Sequence, residues 1–318
     1  MLKQLFLTLA ILISVTGFIS CSKDEPNNGG KDPIENPTDD PKDDPTDDPT
    51  DDPKDDPADD GTVIVNADGT TSNGMPFRRI DETNFMLNYI QYWIKDGHLQ
   101  TVNHDDIEVA ASLKGKVTIV PAVTIDGTKY YTRVIDGFIE SSIKEIDLPN
   151  TVTKIGNWAF RWSKSLEKVR IPESLKSIGE SAFAGCTSLS SIELNEGLET
   201  MGEYAFSGCT KLETITIPEN VCIYGGCFSG VPLKELRLPE SFKINASTSY
   251  GYVFNSTYLE NIYVKSKDAK EPEGSSKLLF DDFLRYSACL KVPEGSLKYY
   301  KKSPFWGKFI DIREYNPE

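Results

Sequence analysis

The sequence is poor in the residues that usually carry catalysis. Its 318 residues include two histidines, His98 and His104, and both lie in one N-terminal segment. It contains no Gly-x-Ser-x-Gly nucleophile motif, no phosphate-binding glycine loop and no paired-carboxylate motif. No Cys-x-x-Cys or mixed Cys/His spacing of a zinc site occurs either. We therefore expect a protein that is not an enzyme and that holds no metal or other cofactor.

Positive charge is also scarce, with 34 Lys and Arg residues against 49 Asp and Glu residues and a net charge of -15. The excess of acid is concentrated in residues 31–60, which hold 14 acidic residues and three lysines. Residues 61–318 are consequently close to neutral, and they lack the basic surface that binding to a phosphate backbone requires. We expect no nucleic-acid partner.

Long apolar runs are absent beyond the start of the chain, where Leu5–Ile19 is mostly apolar and Lys3 precedes it. This run is too short to span a membrane and is typical of a secretory leader, here residues 1–20. Cys21 follows Phe18-Ile19-Ser20, which resembles a bacterial lipobox, and Ser22–Glu25 resembles the surface-export tag of Bacteroidota lipoproteins. The resemblance implies lipidation at Cys21 and anchoring to the outer membrane, with the domain on the cell surface. The alternative is an ordinary cleaved leader beside an incidental cysteine.

Residues 21–61 are expected to form a disordered tether. Asp-Asp-Pro recurs every four residues within residues 31–60, and proline together with charge repulsion favours extended chain. Thirty residues at about 3.1 Å each would reach roughly 90 Å.

From Ile143 the sequence repeats with a fixed period. Strand-like segments begin at Ile143, Leu166, Leu189 and Leu212, each 23 residues after the previous one. Each unit then carries an Ile-Gly-x-x-Ala-Phe signature or a close variant, ending at Phe160, Phe183 and Phe206. A period of 20–29 residues with matched leucine-type positions is typical of a leucine-rich repeat solenoid, because neighbouring coils bury one another's apolar residues.

The fold predicted from this period is mainly β. Residues 115–288 form leucine-rich repeats of about 23 residues, and residues 289–318 form a C-terminal aromatic cap. Residues 62–114 are a linker followed by a β cap. Phe85–Ile94 could be a helix after Asp81 or a strand paired with Leu99–Val102 across Asp96-Gly97, and the strand is favoured because the open sheet end of a solenoid needs a cover. A hairpin is predicted around Asp126-Gly127, within an atypical first repeat. Residues before Phe77 are interpreted as a continuation of the linker.

The pattern that is complete at Leu166–Ser188, Leu-x-x-Ile-x-Ile-Pro-x-x-Leu-x-x-Ile-Gly-x-x-Ala-Phe-x-x-Cys-x-x, resembles the BspA-like, or treponemal-type, leucine-rich repeat. The resemblance covers roughly residues 115–312. It implies a secreted or surface protein of a host-associated bacterium, and some members of the family are adhesins for host matrix proteins or for other bacteria.

Five cysteines follow Cys21, so they cannot all pair with one another. Cys186 and Cys209 lie 23 residues apart at one repeat offset and should point the same way on successive coils. Cysteine is small and is readily buried. We expect structural free thiols rather than disulfides.

The candidate binding surface is the concave strand face that points away from the core. Two columns of side chains should lie on it: Glu145, Lys168, Ser191, Thr214, Glu235 and Asn261 in the first, and Asp147, Arg170, Glu193, Thr216, Arg237 and Tyr263 in the second. Arg and Tyr dominate binding energy at protein interfaces. The proposed partner-binding residues are therefore Lys168, Arg170, Glu193, Thr216, Arg237 and Tyr263.

These residues favour a monomeric interaction module that binds a protein or cell-surface ligand on the host or on other bacteria. Two alternatives remain open. A glycan-binding protein would expose aromatic side chains on one side, for example Trp158, Trp162 and Tyr204. A structural spacer would have no ligand of its own, and the polar strand face would then serve solubility only.

Overall fold

The computed structural model describes residues 61–102, 113–246, 251–255, 258–274 and 276–316. The expected leader, Cys21, the tether and His104 lie outside these residues. Within them, the chain winds into a solenoid whose coils each contribute one segment to a front sheet and one to a back sheet.

The N-terminal cap is built from antiparallel strands that continue the back sheet beyond its first coil. Strand β3 (Asn84–Leu87) pairs with β4 (Ile90–Lys95) across a turn at Asn88-Tyr89. Strand β4 pairs with β5 (His98–Thr101) across Asp96-Gly97, as predicted. The segment predicted as one strand is thus a hairpin. Strand β2 (Phe77–Arg79) continues the cap beyond β3, whereas β1 (Val63–Ile64) lies outside this antiparallel set.

The interpretation of the residues before Phe77 as linker is wrong. Val63 is buried, and β1 pairs in parallel with the predicted hairpin. That hairpin consists of β7 (Ala122–Ile125) and β8 (Thr128–Ile135), which pair across Asp126-Gly127. One buried apolar side chain, that of Val63, is enough to fix a short strand when an open hairpin edge is available to pair with it.

The front sheet runs in parallel from coil to coil, with the apolar centres of its strands buried and their flanking residues outside. Its strands are β6 (Lys114–Thr118), β9 (Ser142–Asp147), β11 (Lys168–Arg170), β14 (Thr214–Thr216), β16 (Glu235–Leu238), β18 (Asn261–Val264), β20 (Cys289–Pro293) and β21 (Asp311–Tyr315). They form two paired sections, β6 to β11 and β14 to β21. A bridge between Lys168 and Ser191 links the first section to the third coil.

The back sheet is also parallel and continues β8 through every later coil. Its strands are short because each coil turns after two or three residues. They are β10 (Lys154–Ile155), β12 (Ser177–Ile178), β13 (Thr200–Met201), β15 (Cys222–Tyr224), β17 (Lys243–Asn245) and β19 (Glu273–Gly274).

A phenylalanine ladder fills the interior between the sheets. Seven rings, one from each coil, stack with neighbouring centroids 4.9–5.9 Å apart. The ladder consists of Phe138, Phe160, Phe183, Phe206, Phe228, Phe254 and Phe280. The burial predicted for Phe160, Phe183 and Phe206 is confirmed.

The C-terminal segment closes the end of this ladder. Helix α1 (Asp282–Ser287) precedes β20, and α2 (Leu297–Lys302) follows it. Phe309 meets the last ladder ring, Phe280, edge-on at 5.6 Å, and Trp306 lies beside both. Trp306 also donates its indole N–H to the Lys270 carbonyl at 2.8 Å, which holds the loop before β19. The aromatic cap is therefore present, and β21 adds a front-sheet strand to it that the sequence did not predict.

Candidate functional site

The two predicted columns lie on the outer face of the front sheet. Glu145 is in register with Lys168, and Asp147 with Arg170. Further along, Glu235 pairs with Asn261, and Arg237 with Tyr263. Their side chains are exposed or half-buried, while the residues between them are buried. Alternation along each strand thus places the proposed partner-binding residues on one polar surface.

The face divides into two parts, and each has an arginine 3.7 Å from a carboxylate: Arg170 beside Asp147 and Arg237 beside Glu235. At the N-terminal part, Asp147 forms an ion pair with Lys116 at 2.6 Å, and its carboxylate lies 3.7 Å from the Arg170 guanidinium. Arg170 is therefore already partly neutralised in the free protein. Surface ion pairs of this kind are weak, so Arg170 stays available to a partner at small energetic cost.

At the C-terminal part, the structure brings Arg237 and Tyr263 together. The guanidinium of Arg237 lies over the Tyr263 ring at 4.6 Å, and Tyr263 meets Tyr315 edge-on at 5.2 Å. Tyr315 donates its hydroxyl to the Val264 carbonyl at 3.1 Å, which fixes the second ring. Burial raises the pKa of Tyr315 above its ordinary value.

Sequence reasoning missed three residues of this face. Lys291 is in register with Tyr263 and with Arg313, so both extend the second column. Tyr315 comes from the same unpredicted strand. The available signal was the alternation around Ile312, where Asp311 and Arg313 flank an apolar residue at the spacing of a front-sheet strand.

A shallow depression lies between the two parts, at the coil where the front-sheet pairing is reduced to the single bridge at Ser191. Glu193, Thr216, Glu235 and Arg237 contribute to its lining. It offers carboxylates, hydroxyls and one guanidinium within a small area, so it can accept and donate hydrogen bonds at once. Glu193 and Thr216 thus line the same depression as Arg237, whereas Lys168 and Arg170 lie beside it.

The five cysteines after Cys21 are all free thiols, as expected. Cys186 and Cys209 donate to the carbonyls of Phe160 and Phe183 at 3.1 Å and 3.2 Å. Burial raises the pKa of Cys186 to about 12 and raises that of Cys209 well above its ordinary value. These thiols are structural hydrogen-bond donors and not nucleophiles at neutral pH.

Across the described ranges, no three His, Cys, Asp or Glu side chains are placed to hold a metal ion. In the same part of the chain, no helix has the length and apolar character needed to cross a membrane.

Residues 136–260 match the family described as BspA type Leucine rich repeat region, in six copies. The chain shares 24% identity with a leucine-rich repeat protein from Bacteroides ovatus, over 75% of this chain and 76% of that one, with a TM-score of 0.40. It shares 19% with a leucine-rich repeat protein of T. pallidum, over 67% and 92%, with a TM-score of 0.44. It shares 20% with a leucine-rich cell surface protein from Faecalibacterium prausnitzii, over 68% and 72%, with a TM-score of 0.45. No curated protein matches the chain.

Proposed function

Because residues 136–260 are repeats of the BspA type, we propose that this protein is an adhesion module that binds a protein on a host or bacterial surface through the outer face of its front sheet. The proposal includes attachment of the mature chain to the outer membrane through a lipidated Cys21, with the solenoid held outside the cell as a monomer. Leucine-rich repeats are interaction scaffolds, and their stacked strands offer one long, rigid surface.

The observation that carries the proposal is the depression between Glu193 and Arg237 on that face. A partner side chain that enters it would meet groups of both charges on a backbone held by the adjoining strands. Next to it, the Arg237–Tyr263 stack presents the two residue types that most often dominate binding energy. Solubility alone requires polar residues on this face, but it does not require an arginine stacked on a tyrosine beside a depression.

The test is binding to immobilised extracellular-matrix proteins and to whole bacteria, comparing wild type with Arg237→Glu and Arg170→Glu. Reversing the charge at Arg237 should weaken binding by about 2 kcal/mol or more, as expected for a central contact. Arg170→Glu should have a smaller effect, because it lies beside the depression. The matched control is Lys176→Glu, whose exposed lysine pairs with Glu199 beside the back sheet.

Equal binding by Arg237→Glu and wild type would contradict the proposal. If wild type binds none of these surfaces, the spacer interpretation would replace it.

A further inference from the structure

A second exposed surface lies on the turns that connect the back-sheet strands to the phenylalanine ladder. We call residues 156–162, 179–185 and 202–208 the turn edge. The coils stack there through backbone hydrogen bonds, from Trp158 to the Glu180 carbonyl at 2.8 Å and from Trp162 to the Ala184 carbonyl at 2.7 Å. Equivalent positions of successive coils therefore lie side by side, on a surface separate from the front-sheet face.

Three aromatic residues on the turn edge have an unusual backbone. Trp158, Trp162 and Tyr204 have φ values of 60°, 59° and 54°. This left-handed region is disfavoured for bulky side chains and is usually taken by glycine. The solenoid does not need an aromatic residue at these positions, because Ser181 stands at the offset of Trp158 and Tyr204, and Gly185 stands at the offset of Trp162.

The two tryptophans are also exposed, with 43% of Trp158 and 45% of Trp162 accessible to solvent. Trp162 lies against Gly185 of the next coil, where an added Cβ would come within 2.5 Å of the indole. The ring is thus supported from behind by a residue that leaves room for it. Strained, exposed aromatic residues whose positions tolerate small side chains point to a function outside folding.

The turn edge also carries charged side chains that can form hydrogen bonds. The guanidinium of Arg161 lies over the Trp162 ring at 4.0 Å. Glu180 and Glu203 occupy one offset on the two following coils, and burial, together with the charge of Glu180, raises the pKa of Glu203. The turn edge therefore carries charged and hydrogen-bonding side chains among its aromatic residues, unlike the continuous apolar patch of a typical protein interface.

We propose that the turn edge binds neutral sugar polymers, with pyranose rings lying on Trp158 and Trp162 and their hydroxyls bonded to Arg161, Glu180 and Glu203. The apolar C–H face of a sugar ring suits an exposed indole. Carboxylates accept from sugar hydroxyls and a guanidinium donates to them. An exposed cation–π pair is weak. A sugar ring can therefore displace the Arg161 guanidinium from the Trp162 indole, and a sugar hydroxyl can then accept a hydrogen bond from that guanidinium. The paired carboxylates disfavour acidic sugars.

Coil spacing supports an extended ligand. Trp158 and Tyr204 are two coils apart, which corresponds to roughly 10 Å at the usual strand separation. Trp158 and Trp162 lie on one coil, so a polymer of several sugar units could extend from them to Tyr204 two coils on. The site goes beyond the protein-binding function proposed above and does not depend on it.

The experiment is affinity electrophoresis of the folded protein through gels that contain glucan, galactan, mannan or xylan. The variants are Trp158→Ser and Trp162→Gly, which introduce the residues that the next coil already carries at these offsets. At least one polymer should retard wild type, and each variant should weaken that retardation at least tenfold. The melting temperature of each variant should be unchanged or higher, because the strained aromatic residue is removed.

Two controls separate this site from other effects. Tyr286→Ser removes an exposed tyrosine in α1 and should leave retardation unchanged, and so should Arg237→Glu on the front-sheet face. Absence of retardation by all four polymers would overturn the proposal, as would equal retardation of wild type and both tryptophan variants. Loss of a protein partner in the tryptophan variants without any polymer binding would also overturn it and assign the turn edge to a protein.

Discussion

Each phenylalanine inside the ladder is buried between two rings of the same kind, so its loss leaves a cavity that neither neighbouring coil can fill. Phe206 stacks on Phe183 at 5.3 Å and on Phe228 at 5.5 Å. We expect Phe206→Ala to lower the free energy of unfolding by about 3–5 kcal/mol, measured by urea denaturation. Tyr286→Ala, at an exposed ring, is the control and should change little. A loss below about 1 kcal/mol for Phe206→Ala would be inconsistent with a buried ladder.

The buried thiols make stability depend on pH at the alkaline end. Burial raises the pKa of Cys186 to about 12 and that of Cys209 well above its ordinary value, whereas an unfolded thiol titrates near 8.5. Below about pH 8.5 both states are protonated and stability is full. As the pH rises from there towards the folded-state pKa, the unfolded chain loses protons first, and stability falls by about 1.4 kcal/mol per pH unit for each thiol.

Serine at these offsets removes the titration and keeps the hydrogen bond, as Ser163 shows by donating to the Phe138 carbonyl at 2.6 Å. Urea denaturation at pH 7 and pH 10 should therefore show a smaller loss for Cys186→Ser/Cys209→Ser than for wild type. The same pH dependence in both proteins would argue against protonated, buried thiols.

At the scale of secondary-structure elements, the C-terminal cap covers both the end of the phenylalanine ladder and the open edge of the front sheet. Trp306 and Phe309 cover the last ladder ring, Phe280, while β21 pairs with the outer edge of β20. An uncovered solenoid end exposes apolar surface and unpaired strand groups, which promotes association.

A chain that stops after Ser303 should therefore aggregate or fail to stay soluble, as measured by size-exclusion chromatography with light scattering. A chain that stops after Tyr315 retains both parts of the cap and should behave as wild type. A monodisperse Ser303 truncation with an unchanged melting temperature would show that the cap does not close the core.

Elements defined by a period or by turn chemistry could be predicted from the sequence. The repeated strand motif predicted the front-sheet columns from Glu145 to Tyr263, at steps of 23 residues as far as Thr214 and of 21 and 26 residues beyond it, because stacked coils repeat their burial pattern. Asp96-Gly97 and Asp126-Gly127 predicted two hairpin turns, since both residues of each turn need positive φ. The short strand β1 could not be predicted in the same way, because its pairing depends on a distant strand edge and not on local pattern.

The candidate sites could likewise be predicted from the sequence only in part. The residues of the front-sheet columns followed from alternation along each strand. The depression did not, because it arises where pairing is reduced to one bridge at Ser191, and nothing in the local sequence marks that loss. The left-handed backbone of Trp162 had one visible signal, its alignment with Gly185, Gly208 and Gly230.

On the scale of the whole molecule, most of the net charge lies in a different part of the chain from the proposed binding surfaces. Most of the net charge of -15 lies in residues 31–60, and the solenoid that follows is nearly neutral. The solenoid therefore presents the front-sheet face and the turn edge to a partner without a large net charge that would repel it.

The proposed lipid anchor and surface location predict where the domain should be found in cells that produce it. Protease added to intact cells should remove the solenoid while a periplasmic marker survives, as detected by antibodies to each. Cys21→Ala should release the protein from the membrane fraction, because the acyl chains proposed on that residue would supply the anchor. A membrane-bound Cys21→Ala variant would rule out lipidation there. Protection of the wild-type domain on intact cells would contradict surface exposure and direct the search to periplasmic partners.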